Sequence, residues 1–301
     1  MSGQGLAGVV VSLSSIFTTL GAAEDDGCDA DDDATTETCK EYTTDWAAFS
    51  YFVVAVITLL LCIVSYAVLD RLPITRYYRR KASSASADPS GAEDLSSPLI
   101  EVMAGSPSSP GSPSSSEGKV NRVMSTVRAP AFAVFTCFAV TLALFPTITS
   151  RIESQDRCEE GSNRFFNDLF VPSSFLMFNL FDFVGRVVPG FLDVDEKALK
   201  RGTVTFSLLR FVFFPLFLLC NVKGTILPTL FASDALPLVI MAFFAFTNGL
   251  TSSYSMMLGP QLVQAQDQEL TGTVMIFMLS SGLMMGSALS FVCLKISTGN
   301  W

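Results

Sequence analysis

The sequence predicts an all-α polytopic membrane protein, an incomplete bundle of about seven spans of the kind transporters use. Half of its side chains are hydrophobic and only 16% are charged, against roughly a quarter charged in soluble domains. The mean hydropathy is +0.46. Apolar stretches recur from Gly5 to Leu294, each near or above the roughly 18 residues that cross a hydrocarbon core about 30 Å thick. Histidine is absent, which removes Ser-His-Asp and Cys-His nucleophile pairs and the HExxH metal site. Nor does the chain carry a Walker A or GxGxxG motif or a basic nucleic-acid patch. The expectation is therefore no enzyme, no cofactor, no metal and no nucleic-acid partner.

The first span, about Gly5 to Ala22, is rich in Gly, Ser and Thr and is the weakest on hydropathy. Its Gly5, Gly8, Ser12, Ser15 and Thr19 repeat at spacings of three and four, a stripe that lets another helix approach closely. No charged segment precedes an apolar core and cleavage site, so it reads as a span rather than a signal peptide. An acidic loop, Glu24 to Asp45, follows. Asp29, Asp31 and Asp33 have the spacing of a calcium loop, but Ala34 and Lys40 stand where Gly and Glu are required, so that reading fails. Cys28 and Cys39 share this loop; an oxidising compartment would let them pair, and spacing alone leaves the bridge open. The second span, Trp46 to Leu69, is the clearest, with Trp46 as an interface anchor and Arg71 just past its other end.

Ala82 to Gly118 is dominated by Ser, Pro, Ala and Gly, too poor in large apolar residues to build a core, and predicts a disordered loop. Ser97, Ser106, Ser109 and Ser112 each precede Pro there; phosphorylation sites and a plain solvated linker are both open. Five further spans follow at about Ala129 to Ile148, Val171 to Leu192, Val204 to Val222, Leu236 to Leu258 and Thr271 to Leu294. Residues 1–70 thus read as the end of a first helical bundle, 71–128 as a connecting loop and 129–301 as a second bundle. Cys62, Cys137, Cys220 and Cys293 fall inside spans and are expected to be buried, inert hydrophobes. Arg71, Arg76, Arg79, Arg80 and Lys81 before the loop, and Lys119, Arg122 and Arg128 after it, make that loop cytoplasmic. Alternation then places Lys197, Lys200 and Arg201 on the same side, the acidic loop outside and the C-terminus extracytoplasmic.

A charge at the bilayer centre costs about 2.5 to 3.5 kcal/mol on insertion scales, so each one asks for a reason. Asp182 and Arg186 stand four residues apart in the fourth span, where they can pair. Phe175, Asn179, Asp182 and Arg186 share one narrow stripe of that helix. An aromatic ring, an amide, a carboxylate and a five-donor guanidinium suit a neutral polyhydroxylated ligand carrying an aromatic base. A structural ion pair locking two helices explains them equally well. Arg210, in the first two turns of its expected span, is predicted to snorkel toward the cytoplasmic surface. Pro146, Pro215 and Pro260 permit kinks, Gly282 and Gly286 form a GxxxG packing motif, and Asn248, Ser252 and Ser255 form a polar stripe that suits a watery path or ordinary interhelical hydrogen bonds.

Several runs resemble a known family. MSGQGLAG at Met1, FNLFDFVGR at Phe178 to Arg186, RFVFFPLFLLCN at Arg210 to Asn221, FAFTNG at Phe244 to Gly249 and the span beginning TGTVM are similar to spans five to eleven of the equilibrative nucleoside transporters, solute carrier family 29 in the major facilitator superfamily. The resemblance implies facilitated diffusion of nucleosides, with nucleobases as an alternative, by alternating access, with Asp182 and Arg186 on the ribose and Phe175, Asn179, Phe145 and Leu283 around the same cavity. It also implies an integral membrane protein of the plasma membrane, with endolysosomal and vacuolar membranes as alternatives. Family spans one to four have no counterpart, so the chain reads as truncated and the Asp182/Arg186 stripe as open to lipid unless a partner covers it. The alternative is a non-transporting form that self-associates or associates with and modulates full-length copies.

Overall fold

The computed structural model describes residues 2–21, 46–77, 114–157, 164–192, 194–231 and 233–299. The acidic loop with Cys28 and Cys39, the calcium-like aspartates and the Ser-Pro sites lie outside them. The long helices are α1 (Ser2–Gly21), α2 (Trp46–Arg71), α3 (Ser114–Leu144), α5 (Phe170–Val187), α6 (Glu196–Leu209), α8 (Ala235–Gln261) and α9 (Gln268–Thr298), with short α4 (Arg164–Asn167) and α7 (Phe213–Leu218). Turns of 3-10 helix at Val188–Gly190 and Arg210–Val212 extend α5 and join α6 to α7. Seven helical stretches among the described residues are long and apolar enough to cross a membrane. This is an all-α polytopic bundle with no strand among the described residues beyond an isolated bridge between Ile152 and Val222.

Two compact units emerge, residues 44–114 and the rest. In the first, α2 carries apolar side chains on all sides, from Phe52 to Leu69, as suits a helix apolar enough to cross a membrane. Cys62 is therefore exposed, contrary to the expectation that every intramembrane cysteine is buried. Cys137, Cys220 and Cys293 are buried.

The second unit holds α1 and α3 to α9. Its core gathers Leu144 and Ile148 at the end of α3, Phe178 of α5, Phe217 of α7 and Met241 and Phe244 of α8. Glycines set how closely the helices meet. A Cβ on Gly249 would lie 2.1 Å from the Asp182 carbonyl oxygen, and one on Gly185 would lie 2.3 Å from that of Phe246, so α5 and α8 touch backbone to backbone. On α9, a Cβ on Gly282 or Gly286 would lie 2.5 Å from a carbonyl oxygen of α3, at Phe135 and Ala139 respectively. Against α1, the same addition to Gly5 would meet Phe183 Cα at 3.0 Å and to Gly8 the Asn179 amide at 2.1 Å. Small residues allow this approach, and the gain is dispersion contact along both backbones.

Two boundaries differ from expectation. Helix α3 begins at Ser114, so the last five residues of the stretch read as disordered, Ser114 to Gly118, are helical, and Lys119, Val123 and Val127 continue the 3.6-residue period of α3. The fifth span begins at Glu196 rather than Val204, because its charged first turns favour helix as strongly as apolar residues do. Pro130 and Pro260 lie inside helices. Pro215 is the third residue of α7, which directly follows the 3-10 turn that joins it to α6.

Candidate functional site

Asp182 and Arg186 meet as their spacing requires. Arg186 Nε donates to Asp182 Oδ2 at 2.6 Å, and each side chain is only 7% exposed. Removing two charges from water costs several kcal/mol per ion unless every lone pair is satisfied. The second carboxylate oxygen is satisfied too: Asn248 Nδ2 of α8 donates to Asp182 Oδ1 at 2.7 Å. The α5–α8 glycine contact makes that bond possible, since Gly249 follows Asn248 and packs on the Asp182 backbone.

One helical turn earlier, Asn179 Nδ2 donates to Ser12 Oγ of α1 at 2.7 Å and to the Phe175 carbonyl at 3.0 Å. Gln4 Oε1 of α1 lies 3.5 Å from Arg186 Nη1. Helix α1 therefore covers the stripe that was expected to stand open to lipid; its small-residue face reaches Asn179 and Phe183 directly. Asp182 is 5% exposed. The stripe straddles a seam, with Asn179 turned to α1 and Asp182 to α8.

The aromatic end of the site is built from α3 and α5. Phe145 stacks on Phe178 with centroids 3.9 Å apart and planes 10° from parallel, and meets Phe175 at 4.9 Å and 55°. Leu283 sits half-buried on α9 beside Gly282. Phe178 was not singled out from the sequence, since it lies off the stripe that carries Phe175; only the three-dimensional stack identifies it.

Arg210 is corrected by the structure. It does not snorkel: it is 1% exposed, with Nη1 donating to the Phe244 carbonyl at 2.7 Å and to Thr247 Oγ1 at 2.6 Å, and Nη2 to Thr141 Oγ1 at 2.8 Å. The guanidinium carbon lies 4.4 Å from the Phe244 ring centroid, a cation–π distance. The early start of α6 explains the error, since 14 residues of helix separate Glu196 from Arg210 and put about 21 Å of rise between them. The polar stripe of α8 is likewise closed, with Asn248, Ser252 and Ser255 all buried.

Two open cavities lie away from this seam. One of about 190 Å³ is lined by Arg122, Thr126, Gln264 and Asp267, where Asp267 pairs with Arg122 at 2.8 Å. A second, of about 180 Å³, is lined by Ala198, Phe206, Leu250, Thr251 and Tyr254. Neither includes Asp182 or Arg186. The polar seam differs from them in chemistry, since a carboxylate and a guanidinium buried in an apolar bundle need a reason. No group of three or more His, Cys, Asp or Glu among the described residues is placed to hold a metal.

The family model described as Nucleoside transporter matches residues 1–295. Human equilibrative nucleoside transporter 1 is 32% identical over 298 residues, covering 97% of this chain and 60% of the relative. Human equilibrative nucleoside transporter 2 is 32% identical over 318 residues, covering 97% and 63%. Equilibrative nucleotide transporter 1 of Arabidopsis thaliana is 24% identical over 245 residues, covering 80% and 47%. The chain thus spans about 60% of the length of the human relatives it matches. A family match over nearly the whole chain, on a bundle of seven membrane-crossing helices, shows that this chain belongs to the nucleoside transporter family.

Proposed function

We propose that the chain carries the ribose-binding half of a nucleoside site and serves facilitated nucleoside transport by alternating access. One observation carries this: an ion-paired carboxylate and guanidinium buried in the apolar bundle, at one end of an aromatic cluster of Phe145, Phe175 and Phe178. Vicinal ribose hydroxyls both donate and accept. They satisfy Asp182 and the Arg186 fork together without adding charge, and the aromatic faces suit stacking of a base. Asn179, Phe145, Phe175 and Leu283 complete the proposed surroundings.

The topology proposed with it puts the segment between α2 and α3 in the cytoplasm and the C-terminus outside, on the positive-charge bias of Arg71, Arg76, Lys119 and Arg122. A plasma membrane location is the first choice. The second reading, a non-transporting form that associates with longer copies of the transporter, draws on the 60% coverage of the relatives.

Uptake of tritiated uridine and adenosine into nucleoside-transport-deficient cells expressing this chain separates the two. Uptake that disappears with Arg186→Ala at equal surface expression supports transport by this chain. Surface expression without uptake, together with co-purification of a longer copy, supports the second reading. Uptake unchanged by Arg186→Ala contradicts the proposed site.

A further inference from the structure

The polar contacts around Asp182 do not stop at Asn248. They continue through Thr141 of α3 to Arg210, after the end of α6, so four separate segments of the bundle meet in one buried line. Arg210 Nη2 donates to Thr141 Oγ1 at 2.8 Å. That hydroxyl lies 2.7 Å from Asn248 Oδ1 and 2.7 Å from the Cys137 carbonyl. Asn248 Nδ2 then donates to Asp182 Oδ1 at 2.7 Å. We infer that Arg210, Thr141 and Asn248 are positioning residues, a directional hydrogen-bond relay that holds the Asp182 carboxylate in place for the sugar hydroxyls of the ligand. The inference rests on the nucleoside reading above for its ligand, but not for its geometry.

Direction follows from donor and acceptor counting. A guanidinium only donates, so Arg210 fills an acceptor position of Thr141 and leaves its single hydroxyl proton to be shared between Asn248 Oδ1 and the Cys137 carbonyl, each 2.7 Å away. The Cys137 thiol, 3.3 Å from Asn248 Oδ1, donates to the same oxygen. With its carbonyl oxygen committed to these donors, Asn248 must present its amino group to Asp182. The flipped amide would set a carbonyl oxygen 2.7 Å from a carboxylate oxygen, two acceptors with no proton between them. Every proton along the line therefore points from the cation toward the anion, and hydrogen bonds arranged head to tail polarise one another.

The consequence for binding is orientational. Asp182 Oδ1 is held by the relay and Oδ2 by Arg186, so an arriving hydroxyl meets a carboxylate fixed in one rotamer. Thr141 and Arg210 touch no ligand in this arrangement. Arg210 is held in turn by the Phe244 carbonyl, Thr247 and the Phe244 ring, which ties the α8 backbone one turn above Asn248 to the same device.

The test uses the purified chain in lipid nanodiscs with Thr141→Val, which removes the hydroxyl, Thr141→Ser, which keeps it, Asp182→Asn, and the Val and Asn changes combined. Thermal midpoints without ligand give a double-mutant cycle between residues that share Asn248, and tritiated uridine gives affinity. The relay predicts that the two midpoint shifts are smaller together than their sum. Uridine affinity falls about tenfold in Thr141→Val, the equivalent of about 1.4 kcal/mol, and returns in Thr141→Ser. Additive midpoint shifts, or equal affinities for the Val and Ser variants, overturn the relay. Coupled midpoints in a wild-type chain that binds no uridine support the relay and sink the nucleoside reading instead.

Asn248→Asp serves if Thr141→Val does not fold. It sets a second carboxylate against Asp182, within reach of Arg186, Arg210 and Cys137, and its midpoint is predicted to drop at neutral pH. The midpoint then recovers on acidification, because the new carboxyl, once protonated, donates to Asp182 again. A drop that does not recover overturns the relay.

Discussion

Gly249→Ala tests whether backbone contact between α5 and α8 sets the site. The new Cβ would stand 2.1 Å from the Asp182 carbonyl oxygen and 2.9 Å from the Arg186 nitrogen. Both are backbone atoms of a regular helix, so no side-chain rotation relieves the clash. An acceptable C···O separation is about 3.3 Å, so the helices must part by about 1 Å at this point. The Asn248 to Asp182 bond, now 2.7 Å, would lengthen to about 3.7 Å, beyond hydrogen-bonding range. Overpacking of this kind costs about 1 to 3 kcal/mol, and the lost bond to a buried charge adds about 1.5 to 3 kcal/mol. Circular dichroism melts of the purified chain in detergent compare it with Gly272→Ala, where a Cβ meets nothing within 4 Å. A large fall in midpoint is expected for Gly249→Ala alone. Equal midpoints for the two variants would show that backbone contact between α5 and α8 does not set the site.

Three further outcomes follow from the same contacts. Gly282→Leu on α9 drives a side chain into the Phe135 carbonyl region of α3, 2.5 Å from where a Cβ would begin; it is expected to lower the midpoint by several degrees, while Met284→Leu, exposed on the same helix, leaves it unchanged in the same melt. Arg210→Lys keeps the charge but cannot reach Thr141, Thr247 and the Phe244 carbonyl at once, so it is expected to destabilise the chain by about 1 to 3 kcal/mol, read by the same melt, and a neutral result would deny the buried fork. Arg122→Ala removes a partner that is 62% exposed from Asp267, which is 6% exposed. Because this leaves a buried carboxylate with Lys119 at 4.0 Å, the midpoint is expected to fall by the equivalent of about 1 to 3 kcal/mol and to be only weakly salt-dependent, as checked by melts at two ionic strengths.

Much of the architecture was legible because membrane helices declare themselves by length and apolar content alone. The contact between Asp182 and Arg186 was legible for a similar reason, since two charges four residues apart on one helix have few other partners. Spacing also exposed the small-residue faces of α1 and α9, whose glycines approach α5 and α3. Other features carried no local signal. Gly185 and Gly249 belong to different helices and to no repeated motif, so their mutual approach exists only in the assembled bundle. Thr141 is an ordinary intramembrane threonine until Arg210 arrives from 69 residues away. Arg210 was misplaced because hydropathy begins a span where charges stop, whereas the helix begins at Glu196 among them. The expectation that the stripe lies open to lipid failed because it overlooked α1, whose Ser12 and Gly8 already sit on Asn179.

If Asp182 and Arg186 hold the ribose, removing the sugar hydroxyls and removing Arg186 act on the same contact. Equilibrium binding of uridine and of 2′,3′-dideoxyuridine to the purified chain in nanodiscs would be compared between wild type and Arg186→Ala. Charge-assisted bonds to the sugar are worth about 1.5 to 3 kcal/mol, so wild type is predicted to favour uridine by roughly tenfold or more, and Arg186→Ala to lose most of that preference while still binding both through the base. A preference for uridine that survives Arg186→Ala undiminished would contradict the account.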